Sequence, residues 1–215
     1  MRNTEMLAIA IVLLSVFIGI YFYPQMPERM ASHWNAQGQV DGYMPKFWGL
    51  FLMPFLSAIL WILFIIIPFI DPLKANIEKF RKYYDGFVLL FLIFMLYLYL
   101  LTILWNFGFS FNMPQALAPA FGTLFYYVGI LTEHAKRNWF IGIKTPWTLS
   151  NEKVWEKTHK LGGKLFKLCG VLAVLGALFQ DYAIFFVLAP VLSISAYLFI
   201  YSYLEYQKQT KKIDW

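Results

Sequence analysis

Residues 87–107 read FVLLFLIFMLYLYLLTILWNF, an almost uninterrupted series of Leu, Phe, Ile and Tyr without a charged side chain. A helix needs about 20 apolar residues to cross a hydrocarbon core roughly 30 Å thick. Inside that core every backbone N–H and C=O must find a partner within the protein, and a helix provides one for each. This segment therefore predicts a transmembrane helix.

Five further apolar runs occur in the 215 residues, of which 60% are hydrophobic and only 14% charged. A soluble domain carries about 25% charged residues. The runs cover residues 6–23, 47–70, 116–131, 165–179 and 182–203. Together with residues 87–107 they predict an all-α, polytopic bundle of six transmembrane helices. Small residues that recur every four positions in two runs predict close helix packing within the bundle. They are Ala118 and Gly122, and Cys169, Ala173 and Ala177.

Basic residues alternate between scarce and abundant in successive connections, and the positive-inside rule places the basic connections in the cytoplasm. Of the 18 Lys and Arg, 16 then lie on the cytoplasmic side, and only Arg29 and Lys46 lie outside. We therefore expect both termini in the cytoplasm, loop 24–46 outside and loop 132–164 inside. The chain divides into a four-helix part, residues 1–131, and a part with two further spans, residues 132–215.

The spans have no Asp, Glu, Lys, Arg or His well inside them. Ion-coupled transporters, proton relays and voltage sensors need ionisable groups at that depth. We expect no cofactor and no catalytic residue. We also expect no metal site, because His33, Glu28 and Asp41 are too loosely spaced for a convincing ligand set. Specific chemistry is therefore expected in the loops.

The outer loop, residues 24–46, combines turn-forming and aromatic residues. Pro27 favours the first turn of a short helix to about Trp34, and Asp41-Gly42 favours a tight turn. The rings of Trp34 and Tyr43 suit either an anchor at the membrane surface or a recognition surface for a ligand from outside. The candidate ligand-binding residues are His33, Trp34, Asn35, Asp41 and Tyr43.

The second half of the cytoplasmic loop is predicted to form a helix. It starts at Ser150, the N-cap, and bends at Gly162-Gly163 into the fifth span. Its two faces differ: Val154, Trp155, Thr158 and Leu161 are on one, and Lys153, Lys157 and Lys160 on the other. This pattern is typical of an amphipathic helix lying on an anionic inner leaflet. Lipid headgroups explain the basic charge without direct nucleic-acid binding. Thr145-Pro146-Trp147 predicts a rigid turn before the helix.

Two blocks of residues resemble the SdpI-like bacterial and archaeal membrane proteins. The first is Met26-Pro27, His33-Trp34-Asn35, Gly38, Asp41-Gly42-Tyr43 and Lys46. The second and more specific block is RNWFIGIKTPWTL at residues 137–149, with Trp155, Thr158, His159 and Gly162-Gly163. Lys144 stands where the family often has Arg, which keeps the charge but not the bidentate geometry.

The resemblance implies a multi-pass protein of the prokaryotic plasma membrane that protects its cell from a secreted, membrane-active peptide toxin. It also implies that toxin presence is signalled by holding a cytoplasmic repressor at the membrane. Membrane lipids, such a toxin and such a repressor are the expected partners. The candidate partner-binding residues are Arg137, Asn138, Trp139, Lys144, Thr145, Pro146, Trp147, Trp155 and His159.

The sequence leaves two alternative functions open. An interfacial enzyme acting on lipid or envelope precursors would use His33 and Asp41 outside, or Glu133, His134 and His159 inside. A small-molecule carrier is opposed by the charge-free spans. An elongated apolar or lipidic density bound between helices would favour these alternatives, and a closed, packed bundle would favour recognition.

The topology can be tested with single cysteines at Ser32 and Ser150 in a Cys169→Ser background. In intact cells the cysteine at 32 should react with an impermeant thiol reagent and the cysteine at 150 should not, because the two loops lie on opposite sides. Reaction at both positions, or the reverse pattern, would overturn the six-span arrangement.

Overall fold

The computed structural model describes residues 3–210, which form eight α-helices and one β-hairpin. The elements in chain order are α1 (Asn3–Phe22), β1 (Arg29–Trp34), β2 (Val40–Pro45), α2 (Lys46–Ile70), α3 (Lys74–Glu78), α4 (Arg81–Asn106), α5 (Met113–His134), α6 (Pro146–Ser150), α7 (Glu152–Gly176) and α8 (Ala183–Thr210). Three basic residues of the topology count lie outside the described residues: Arg2, Lys211 and Lys212.

The six predicted spans coincide with the six long helices, α1, α2, α4, α5, α7 and α8. Within residues 3–210, four segments are long and apolar enough to cross a membrane: Thr4–Gln25, Lys46–Ile70, Arg81–Asn106 and Ala183–Thr210. Their surfaces expose many large apolar side chains, which fits a membrane protein. The helical class is confirmed, whereas the count of six spans stays a prediction because α5 and α7 are less apolar.

The short helix predicted in the outer loop is wrong, because residues 29–45 form an antiparallel hairpin. Asn35 closes the turn, since its Oδ1 accepts the N–H groups of Gln37 and Gln39 at 3.0 and 2.9 Å. Gly38 adopts a φ of 79°, a left-handed conformation that suits glycine. The tight turn predicted at Asp41-Gly42 is also wrong, because both residues lie in β2.

The hairpin is fixed to the helices by buried contacts of β1. The side chain of Asn106 accepts the Ala31 N–H at 2.7 Å and donates to the Ala31 carbonyl at 3.0 Å. Met30 is fully buried and packs into the space left by Gly49, where a Cβ would lie 2.9 Å from the Met30 Cβ. An extended strand offers its backbone N–H and C=O groups to Asn106, whereas a helix would use them internally. This contact explains why the segment forms a strand and not the predicted short helix.

Helices α5 and α7 pack closely through glycines. A Cβ at Gly163 would lie 2.8 Å from the Gly129 carbonyl oxygen, and a Cβ at Gly170 would lie 2.6 Å from the Gly122 carbonyl oxygen. Ala118 and Ala173 are fully buried in the same bundle. Close packing between the small-residue runs is thus confirmed. The bend predicted at Gly162-Gly163 is wrong, because α7 continues through both residues.

The start and the orientation of α7 also differ from the prediction. Its N-cap is Asn151, whose side chain accepts the Val154 N–H, while Ser150 ends α6. Val154, Trp155 and Thr158 are at most 1% exposed within the protein. The apolar face of this helix therefore packs against the protein, and its predicted position on the lipid surface is wrong.

Candidate functional site

Asn138 organises the non-helical segment between α5 and α6. Its side chain is fully buried and makes four hydrogen bonds. Nδ2 donates to the carbonyls of Lys136 and Ile141, both at 2.8 Å. Oδ1 accepts the N–H groups of Phe140 and Ile141 at 2.9 and 2.6 Å. Asn138 is therefore fully engaged within its own loop and presents no free polar atom to a partner.

His159 and Trp155 form a stacked pair beneath this segment, with ring centroids 3.8 Å apart. The Trp155 indole N–H donates to the Ala135 carbonyl at 2.8 Å. His159 Nε2 accepts the Ile143 N–H at 3.0 Å, and its Nδ1 lies 2.9 Å from the Trp155 carbonyl. This arrangement requires a neutral ring with the proton on Nδ1. Burial lowers the pKa of His159 to about 4, which favours the same state.

Gly142 lies over the stacked pair with a φ of 114°, and a Cβ there would collide with His159 Nε2. A larger residue would be strained by both the backbone conformation and the contact. The glycine thus allows the loop backbone to reach the imidazole.

Thr145 and Pro146 start the short helix α6 and fix it to α8. Thr145 forms a reciprocal capping box with Thr148, and its hydroxyl donates to Ser202 Oγ of α8 at 3.0 Å. Trp147 packs against Phe199 and Tyr203 of α8, with both ring centroids 5.1 Å away. Trp147 is thus half-buried against its own bundle.

The remaining predicted residues of this loop differ in exposure. Arg137 is partly buried and donates to the Leu149 carbonyl at 3.4 Å. Trp139 is 52% exposed, and Pro146 is also exposed. Lys144 is exposed and its ammonium donates to the Phe140 carbonyl at 2.8 Å. The structure thus separates an internal group of these residues from an exposed group formed by Trp139, Lys144 and Pro146.

Asp71 is a structural residue that the sequence analysis missed. It is 2% exposed at the end of α2, and its two oxygens accept the N–H groups of Leu73 at 2.6 Å and Trp139 at 2.9 Å. A carboxylate is unfavourable at a helix C-terminus unless donors surround it. One feature of the sequence indicates this role: an acidic residue directly follows an apolar run and precedes Pro72.

Two ion pairs join the helices on this side of the protein. Lys157 Nζ lies 2.5 Å from Glu205, and Lys167 Nζ lies 2.5 Å from Glu133. Of the internal residues considered for an enzyme, Glu133 is paired, His134 stacks on Tyr83, and His159 uses both nitrogens.

The outer hairpin brings together His33, Trp34 and Asp41. His33 Nδ1 lies 2.5 Å from Asp41 Oδ1, and both side chains are substantially exposed. Trp34 packs edge-on against Trp105 at 5.7 Å, and its buried indole N–H has no partner among the described residues. Asn35 serves the turn, and Tyr43 is 54% exposed.

A cavity of about 240 Å³ lies below the hairpin. Ser32, His33 and Trp34 border it on the hairpin side, and α2, α4, α5 and α8 provide an almost wholly apolar lining. Met53, Leu98, Met113 and Phe121 are among the helix residues that line it. Asn35, Asp41 and Tyr43 do not line it. The hairpin therefore combines an exposed polar pair with an adjacent apolar cavity.

Known proteins match both halves of the chain. The SdpI/YfhL protein family matches residues 134–202, which hold the loop between α5 and α6, helices α6 and α7, and most of α8. The chain is 26% identical over 205 residues to the immunity protein SdpI of Bacillus subtilis (strain 168), covering 95% of this chain and 96% of that protein. The chain is SdpI-like. Residues 10–58 of this SdpI-like protein match a domain of unknown function, DUF1648, and no solved structure matches.

The buried neutral state of His159 predicts a pH-dependent stability. The folded-state pKa lies near 4 and the ordinary value near 6.5, so an unfolded chain takes up a proton that the folded chain rejects in this window. The free energy of unfolding should fall by up to ~3 kcal/mol as pH drops from 7 to 4. Thermal unfolding in detergent at pH 7.5 and 5.0 measures this effect.

His159→Gln should be less stable than wild type at pH 7.5 but should show a weaker dependence on pH. His134→Gln, at an exposed histidine, is the matched control and should keep the wild-type dependence. A wild-type slope in His159→Gln would contradict a buried, neutral imidazole.

Proposed function

We propose that this protein is a membrane immunity protein that binds a secreted, membrane-active peptide toxin at its outer hairpin. The observation that carries the proposal is the exposed His33–Asp41 pair beside an apolar cavity of about 240 Å³. The similarity to a protein named as an immunity protein supports the immunity function. The sequence has no ion-binding group well inside the predicted spans and no evident nucleophile–base pair. It therefore gives no support to transport or enzymatic chemistry.

The proposed topology has six spans, with both termini in the cytoplasm of a prokaryotic cell. It places the hairpin on the surface that a secreted peptide meets first. The scarcity of basic residues in loop 24–46 supports this orientation.

The proposed recognition uses both properties of the hairpin. An amphipathic peptide carries apolar side chains that it would otherwise insert into lipid, and the cavity offers them an alternative apolar environment. The unpaired indole N–H of Trp34 can donate to a peptide carbonyl, which would relieve the cost of its burial. His33 and Asp41 supply polar contacts at the rim. A peptide held this way is kept from inserting into the bilayer.

His33→Ala and Asp41→Ala should each reduce toxin protection at unchanged membrane levels, because each removes half of the rim pair. Gln37→Ala is the matched control, since Gln37 is exposed on the same hairpin and lies away from the pair and the cavity lining. Survival under toxin, together with the amount of protein in the membrane, is the measurement. Full protection in both variants would indicate that the hairpin is only an anchor at the membrane surface.

We further propose that the cytoplasmic face relays toxin presence to a soluble repressor. Trp139 is the exposed aromatic residue of loop 132–164 best placed to contact such a partner, since Trp147 packs against α8. An aromatic anchor at an interface is often worth 2 kcal/mol or more, about a thirtyfold change in affinity.

Trp139→Ala should therefore weaken recruitment of a fluorescent repressor to the membrane about thirtyfold, while survival under toxin persists. Trp147→Ala is the contrasting variant, because loss of its packing on α8 should lower thermal stability and reduce both activities together. Loss of survival in an abundant, folded Trp139→Ala protein would contradict the separation of the two faces.

A further inference from the structure

A second cavity, of about 410 Å³, lies beside the cytoplasmic loop. Helices α2, α4, α5, α7 and α8 surround it together with residues 140–143. Protein interiors contain few voids larger than a water molecule. This space is also partly open at the protein surface, so it is large and accessible enough to hold part of a ligand.

The lining of this cavity selects an apolar occupant. Its polar members are Tyr84, Thr132 and Ser195, and the Tyr84 hydroxyl already donates to the Phe64 carbonyl at 2.8 Å. No Asp, Glu, Lys, Arg or His is among the described residues that line it. A charged or strongly polar ligand would lose its hydration there without compensation, whereas a hydrocarbon chain would not.

Three exposed residues border the cavity: Phe140 and Gly142 of the loop and Ser195 of α8. Helix α8 is one of the four helices apolar enough to cross a membrane. In the proposed six-span arrangement Ser195 lies beside lipid tails, and a chain can enter the cavity there from the bilayer.

A positive charge stands at this opening. Lys144 is exposed, and its ammonium lies 2.8 Å from the carbonyl oxygen of Phe140, a residue of the lining. Trp139, half exposed, precedes Phe140 and has the amphipathic ring typical of the membrane interface. A lysine at the rim of an apolar space complements the net negative charge of an anionic lipid headgroup.

We infer that this cavity binds one acyl chain of an anionic phospholipid from the cytoplasmic leaflet, with Lys144 contacting the headgroup. The bound lipid fills the space between the two halves of the chain and links the cytoplasmic loop to the bilayer. The site is separate from the outer hairpin and does not depend on toxin binding.

Native mass spectrometry of the purified full chain in detergent tests this inference, with phosphatidylglycerol and phosphatidylcholine of identical acyl chains as probes. The wild type should retain one phosphatidylglycerol in preference to phosphatidylcholine. Ser195→Trp should weaken phosphatidylglycerol binding at least tenfold, because the indole occupies the opening. Ser193→Trp is the matched control, since Ser193 is exposed on the same helix but does not line the cavity.

Lys144→Gln should lower the preference for phosphatidylglycerol about fivefold while leaving binding of phosphatidylcholine unchanged. Lys153→Gln, at an exposed lysine of α7, should not alter the preference. If Ser195→Trp fails to fold, Ser195→Leu is a smaller change in the same direction, and Lys144→Gln tests the headgroup contact independently.

Undiminished binding in folded Ser195 variants, or equal loss in Ser193→Trp, would overturn the cavity as the site. Equal retention of the two lipids by the wild type would overturn the headgroup contact and with it the assignment to an anionic lipid.

Discussion

The non-helical segment at residues 135–145 must satisfy its backbone hydrogen bonds while packed against helices, and this end of the structure depends on how it does so. A buried N–H or C=O without a partner costs about 1–3 kcal/mol. Here the partners are side chains: Asn138 serves four backbone groups, His159 accepts from Ile143, and Asp71 accepts from Trp139. Asn138 thus serves the loop from within, and α7 and the residue that ends α2 supply further bonds through His159 and Asp71.

This constraint gives the RNWFIGIKTPWTL motif a structural role. Asn138, Gly142 and Thr145 serve the folding of the loop, through an amide, a positive φ and a helix cap respectively. Trp155 and His159, outside the motif, complete the same network. A partner has access to the exposed residues of the motif, which are Trp139, Phe140, Gly142, Lys144 and Pro146.

The sequence predicted those features that depend on composition over a long window. The six runs became six long helices because apolar length and helical hydrogen bonding act locally. The hairpin was missed because its register depends on Asn106, which lies 75 residues from its partner Ala31. The prediction that the start of α7 lies on the lipid surface was wrong for a related reason. An apolar helix face has the same sequence pattern whether lipid or protein covers it. His33 and Asp41, predicted as candidate site residues, do lie together, whereas Asn35 turned out to close the turn.

The two proposed sites are both apolar spaces bordered by polar rims, and they lie on opposite faces of one bundle. The six predicted spans carry no Asp, Glu, Lys, Arg or His well inside their sequences, so the proposed relay from hairpin to loop is best sought in movement of packed helices. Helix α4 carries Asn106, which holds the hairpin, and Tyr84, which lines the second cavity. A shift of this one helix would change both spaces together, because each is bounded by its side chains.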